Sequence, residues 1–136
     1  MTRPDRPVLI DVPIALRWRD LDAFNHVNNS TFMTYLEEAR LLWFSRLDGS
    51  WLTDSHAPVV AAININYRAQ LAWPRQISVQ LHCERLGTTS LTLSHRIVDA
   101  ADRGKTYSDG NVVLVWIEPS SGKPVPLPEA IRRACQ

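Results

Sequence analysis

RWRDLDAFNHVNNSTFMTYLEEAR, residues 17–40, decides how the rest of this chain is read. Its first half crowds Asp20, Asp22, Asn25, His26, Asn28 and Asn29 into ten residues. Asp and Asn favour turns, where their side chains bond nearby backbone, so Asp20–Ser30 reads as a loop. Its second half carries no helix breaker, and Phe32, Tyr35, Leu36, Ala39, Leu42 and Trp43 fall on one stripe at the i, i+3, i+4, i+7 spacing. Asn28, Asn29 or Ser30 caps the helix, which runs to about Leu47 before Asp48-Gly49-Ser50 stops it. Some 17 residues at ~1.5 Å each make a rod of about 25 Å, long enough to cross a small sheet. Acids and amides that end where a helix begins lie beside backbone N–H groups with partial positive charge. That juxtaposition suggests chemistry.

Upstream, Met1–Pro7 holds two prolines and three charges and reads as a loose leader. Val8–Trp18 reads as a strand interrupted by Pro13, which places it at a sheet edge or starts it after the proline. Downstream, Trp51–Pro58 is irregular, and then the period changes from 3.6 to 2. Ile63, Ile65 and Tyr67 alternate with Asn64, Asn66 and Arg68; Ile77, Val79, Leu81 and Cys83 with Ser78, Gln80, His82 and Glu84; Leu91, Leu93, His95 and Ile97 with Thr92, Ser94 and Arg96. Each predicts a strand with one buried and one wetter face. Gly87-Thr88-Thr89 and Asp99–Gly104 are turn chemistry between antiparallel neighbours. Asn111–Ile117 is apolar on both faces, so it needs a helix on one side and other cover, such as a second subunit, on the other. Pro119–Pro128 ends the sheet and Glu129–Ala134 forms a short terminal helix. The expected class is α+β, one domain over residues 1–136, with the helix stripe laid across an antiparallel sheet.

Composition excludes several classes. A formal charge of +1 argues against a nucleic-acid surface. The longest apolar runs are too short to cross a bilayer, and the N-terminus has no signal-peptide core. Two cysteines, Cys83 and Cys135, have no CxxC spacing, which gives no disulfide framework or zinc set and favours a reducing, cytoplasmic setting.

The run Arg19–Asn29, with its D-x-D-x-x-x-H-V-N-N pattern, followed by Phe32, Tyr35 and Glu37-Glu38-Ala39-Arg40, resembles the hotdog-fold acyl-CoA thioesterases. The resemblance is to the branch around 4-hydroxybenzoyl-CoA thioesterase and its long-chain acyl-CoA relatives. Ile65–Ala69, Leu86–Ser90 and Ser121–Pro128 extend it through nearly the whole chain. It implies a sheet wrapped around one long helix and a homodimer or homotetramer with joined sheets and active sites at the interface. It also implies an acyl-CoA substrate, with no cofactor and no metal. Where the family often has Gly-Asp after its second strand this chain reads Trp73-Pro74-Arg75-Gln76, which alters the turn near the site's mouth.

By the same resemblance, Asp22 is the catalytic carboxylate, as nucleophile or as general base on water. Thioester hydrolysis needs an activated oxygen on one side of the carbonyl and donors for the oxyanion on the other. Asn29 is expected to give its backbone N–H to that oxyanion. His26 polarises the thioester or holds the loop. Asn28, Phe32, Tyr35 and Arg68 are expected to contact substrate. The plainer reading of Asp22 is a turn acid bonding its own backbone, and Asp20 reads as a structural acid paired with Arg17 or Arg19. Asp20, Asp22 and His26 lack a further ligand at recognisable spacing, which makes a weak metal set. There is no G-x-S-x-G elbow. Glu37, where another hotdog branch carries a helix glutamate, is a distant second carboxylate. Two rival functions are a hotdog hydratase or dehydratase, whose D-x-N-P-x-H pattern is absent, and a non-catalytic acyl-thioester binding module.

Overall fold

The computed structural model describes residues 7–136. The expected leader, apart from Pro7, lies outside them. The elements run β1 (Val8–Ala15), a 3-10 turn (Trp18–Asp20), α1 (Asn29–Ser45), β2 (Ala57–Tyr67), β3 (Gln76–Leu86), β4 (Ser90–Asp99), β5 (Thr106–Ile117) and α2 (Glu129–Cys135). The five strands form one antiparallel sheet in the order β1-β3-β4-β5-β2. β1 and β2 are therefore its edges. Pro13 is tolerated inside β1 because that strand pairs only with β3, and the proline faces outward opposite Ser78. The strand ends at Ala15, before the expected Trp18, because Trp18–Asp20 winds into a 3-10 turn.

The helix stripe packs as its period predicts. Phe32, Tyr35, Leu36, Ala39 and Trp43 are buried with Phe44, while Leu42 is half-buried. They meet Ile10, Val12 and Ile14 of β1, Val79 and Leu81 of β3, and Leu91, Leu93 and Ile97 of β4 in one core. Phe44 lies between two tryptophans, stacked on Trp51 at 4.6 Å and edge-on to Trp116 at 6.0 Å. The last turn tightens, with Arg46 N–H bonded to Trp43 and Leu47 N–H to Phe44, so the helix stops two residues early.

Two strands differ from expectation. β5 begins at Thr106, five residues before the predicted start, because Ser108-Asp109-Gly110 reads locally as a turn. Gly110 is required inside the strand: its φ is +148°, and a Cβ there would meet the Asn64 carbonyl oxygen at 1.9 Å. Val112, Leu114 and Trp116 are buried, whereas Val113, Val115 and Ile117 are half-buried. β2 shows no clean buried face: Val59, Val60, Ile63 and Tyr67 are all more than two-fifths exposed. Among the described residues no helix is long and apolar enough to cross a membrane. Cys83 on β3 and Cys135 on α2 form no disulfide, yet the two thiols are hydrogen-bonded, which with burial pushes the Cys135 thiol up. The spacing of 52 positions in sequence gives no hint of that contact.

At the far end of the sheet Asp99 is buried and accepts from Asp102 N–H at 2.9 Å, Tyr107 O–H at 2.8 Å, Ala101 N–H at 3.1 Å and Arg75 Nη1 at 3.2 Å. The Asp102 N–H and the Tyr107 phenol lead in holding this carboxyl down at about 2. An unfolded aspartate titrates near about 3.9, so its contribution to stability is complete above about pH 4 and drains as pH falls towards 2. Asp99→Asn is expected to flatten the dependence of the urea midpoint on pH across that window. A mutant curve parallel to that of the wild type would show that Asp99 does not carry it.

Candidate active site

The loop from Asp20 to Asn28 is fixed from both sides. Asp20 is buried, with its Oδ2 accepting the Tyr35 phenol at 2.6 Å and Arg17 N–H at 3.1 Å, while Arg17 Nε lies 3.7 Å from Oδ1. Burial and that carboxylate push the Tyr35 phenol well above its usual range. The Asp20 carbonyl takes Asn28 N–H at 3.0 Å, the Leu71 carbonyl takes Val27 N–H at 2.7 Å, and Leu21 bridges Val27. Between these ties Asp22 turns the chain back on itself. Its Oδ1 accepts Phe24 N–H at 2.8 Å and His26 N–H at 3.4 Å, its N–H bonds the His26 carbonyl at 2.8 Å, and Asn25 adopts φ +60° to complete the turn. Asp22 is thus the turn acid of the plainer reading. That role occupies Oδ1 alone; no described residue donates to Oδ2, and the side chain is exposed.

Asn28 is the N-cap. Its Oδ1 accepts Ser30 N–H at 2.9 Å and Ser30 Oγ at 2.8 Å, and its carbonyl takes Thr31 N–H. The Asn29 N–H is left with no acceptor among the described residues, at the positive end of a 17-residue helix whose first turn carries no acid. The Asn29 carbonyl is held by the Tyr67 phenol from the end of β2 at 3.0 Å. Tyr67 in turn packs on Phe32, ring centroids 5.1 Å apart.

Asp22, His26, Asn29, Phe32, Tyr67 and Arg68 line one cleft of about 460 Å³, floored by Val27 and Leu71. A second opening on the other side of Asp22 is walled by Trp18, Leu21, Trp73 and Pro74. There Trp73, from the stretch that departs from the Gly-Asp pattern, meets Trp18 edge-on at 5.5 Å. Of the residues predicted to act or bind, the fold brings together Asp22, His26, Asn29, Phe32 and Arg68. It does not bring Tyr35 or Asn28. Tyr35 is buried with its phenol on Asp20, and the Asn28 amide oxygen serves the cap, so neither side chain lines the cleft. Arg68 reaches the cleft already paired, Nε and Nη2 on the Asp109 carboxylate at 3.0 to 3.1 Å. Asp20, folded away under Tyr35, does not converge with Asp22 and His26, and no three His, Cys, Asp or Glu among the described residues form a metal-sized group. Glu37 opens onto a different cavity, eight residues (about 12 Å) along the helix from Asn29. Sequence reasoning does not single out Tyr67 as a site residue. Its signals are an aromatic at the end of an alternating strand, just before Arg68, and its place in the Ile65–Ala69 stretch that extends the family resemblance.

Residues 16–135 match the family described as the thioesterase-like superfamily. The long-chain acyl-CoA thioesterase FadM of Escherichia coli (strain K12) is 30% identical over 121 residues, 88% of this chain and 91% of that protein. A Xanthomonas campestris protein whose candidate activity is acyl-CoA thioesterase has a structure superposing with TM-score 0.79 at 49% identity, over 88% of this chain and 99% of that one. A thioesterase from Thermus thermophilus, solved with coenzyme A and Zn, superposes with TM-score 0.79 at 37% identity, over 96% of this chain and 98% of that one.

The cap makes its own prediction. Asn28→Ala is expected to lower stability by about 0.5–2 kcal/mol, the usual cost of removing an N-cap acceptor. Asn28→Asp or Asn28→Ser, which retain an acceptor, are expected to recover most of it in urea unfolding.

Proposed function

The chain belongs to the thioesterase-like superfamily, and from that premise we propose that it hydrolyses an acyl-CoA thioester to the free acid and coenzyme A. The observation that carries the assignment of roles is that one cleft holds both Asp22, whose Oδ2 accepts from no described residue, and Asn29, whose N–H has no acceptor among the described residues. The thioester carbonyl lies between them. Asp22 attacks the carbonyl carbon, or takes the proton from a water that does, while negative charge gathers on the carbonyl oxygen. The Asn29 N–H, backed by the helix dipole, receives that charge where no reorganisation is needed. His26, on the same wall, polarises the carbonyl from the side. The C–S bond then breaks and the thiolate leaves. On the water route it takes up the proton that Asp22 removed; on the direct route it is protonated from solvent while a water hydrolyses the acyl-Asp22 anhydride, which frees the acid and restores the carboxylate. Phe32 and Tyr67 form the apolar wall past which the acyl group runs, and Arg68 stands at the rim for coenzyme A.

The reading includes a cytoplasmic homo-oligomer, a dimer or tetramer. Two features support it: β2 is an eleven-residue edge strand with exposed apolar side chains, and β5 beside it is only half covered on its outer face. Asp22→Asn is expected to leave the far-ultraviolet spectrum unchanged and to lower turnover of acyl-CoA by about 10²–10⁴-fold, the range for a positioned base. Thiol release at the parent rate would remove Asp22 from the mechanism. Enoyl-CoA hydration without thiol release would replace hydrolysis by the hydratase reading.

A further inference from the structure

Arg40 is 9% exposed, and no described residue gives its guanidinium a hydrogen bond or an ion pair. Burial lowers its pKa, and the charge that opposes this is Glu37, one turn earlier on α1, which stays beyond ion-pair distance. A buried cation without an acceptor costs stability unless something outside the described chain supplies one. Both side chains open into a cavity of about 270 Å³ between α1 and β2, with Leu36, Val60, Ile63 and His95 on its walls. His95 brings no charge: burial lowers its pKa to about 4, and its Nε2 sits 3.1 Å from Ser108 Oγ.

The position of this pair in the fold suggests where the acceptor comes from. β2 spans Ala57–Tyr67, so its middle is near Ala62; α1 spans Asn29–Ser45, so its middle is Glu37. The two middles lie at the same level, because Val60 and Ile63 share the cavity with Glu37 and Arg40. Two copies of an edge strand that pair antiparallel over their whole length are related by a two-fold axis through the strand's middle. That axis passes beside Glu37 and Arg40 and reverses the helix direction across itself. We propose that, in the homo-oligomer joined along β2, Arg40 pairs with Glu37 of the partner subunit, twice by symmetry. The partner also closes the cavity against solvent. The proposal rests on the homo-oligomer reading above and adds the charges that set its register.

The test uses charge reversal and mixing. Native E37R and R40E are each sized by sedimentation, alone and as an equimolar mixture, beside the wild type, with circular dichroism as the check on folding. Alone, each variant faces like charges across the axis, and its dimer is expected to weaken about 10³-fold, two lost pairs at the usual cost of breaking a desolvated one. In the mixture each E37R chain, basic at both positions, meets an R40E chain that is acidic at both. Both pairs are then complementary, and the heterodimer is expected to form. A pair confined within one helix would not be rescued by mixing, so monomers in the mixture overturn the proposal, as do single variants that dimerise like the parent. A monomeric wild type overturns the oligomer reading as well. If a reversal unfolds the chain, R40Q and E37Q replace it: each is expected to weaken the dimer and the double variant to be no weaker than either. Additive losses would contradict the pairing.

Discussion

The carboxylate of Asp20, buried under the start of α1, is the contact on which the site depends. It joins the end of the 3-10 turn to the Tyr35 phenol one and a half turns into the helix, and to the backbone of Arg17. A charge taken that far from water persists only if its lone pairs are filled, so the loop between Asp20 and Asn28 has both ends fixed before any substrate arrives. The loop in turn aims Asp22. Two acids two residues apart therefore divide the labour: the buried one holds geometry, and the exposed one keeps an oxygen available. The Tyr67 phenol does the same from the sheet, tying the first helical carbonyl to the end of β2.

Helix and sheet need each other for a similar reason. The stripe of α1 is too apolar to face water, and β3 and β4, central in the sheet, offer the matching surface. β2 is the exception. It lies beside the helix rather than beneath it, and its apolar side chains remain exposed along the edge that a second copy would cover. The cleft at Asp22 and the cavity at Arg40 follow one another along that border. The proposed chemistry and the proposed assembly would thus share the strip between α1 and β2.

Much of this is legible in the sequence where a single period dominates. The stripe from Phe32 to Trp43 and the alternations of β3 and β4 specify their elements because each face has one neighbour. Family membership is legible in the D-x-D-x-x-x-H-V-N-N run. The cap is not decidable among Asn28, Asn29 and Ser30, because all three side chains can accept and only the backbone at residue 28 leaves the helical region. The start of β5 is hidden because Asp109-Gly110 has turn composition, whereas the glycine is there to let the Asn64 backbone approach. The setting of Tyr35 is not legible because a pattern match says nothing about which way a stripe residue faces; at that position the side chain is buried with its phenol on Asp20. Arg40, read as the last letter of Glu-Glu-Ala-Arg, gives no sign of being buried. Its burial depends on how β2 passes α1, and one residue's identity does not encode that.

The most direct test is a crystal structure of Asp22→Asn with a slowly turned-over acyl-CoA bound. The account predicts the thioester carbonyl carbon about 3–3.5 Å from the residue-22 side chain, as a near-attack geometry requires, with the carbonyl oxygen on the Asn29 N–H. A thioester carbonyl seated elsewhere, with residue 22 turned from it and the Asn29 N–H still unbonded, would contradict the account.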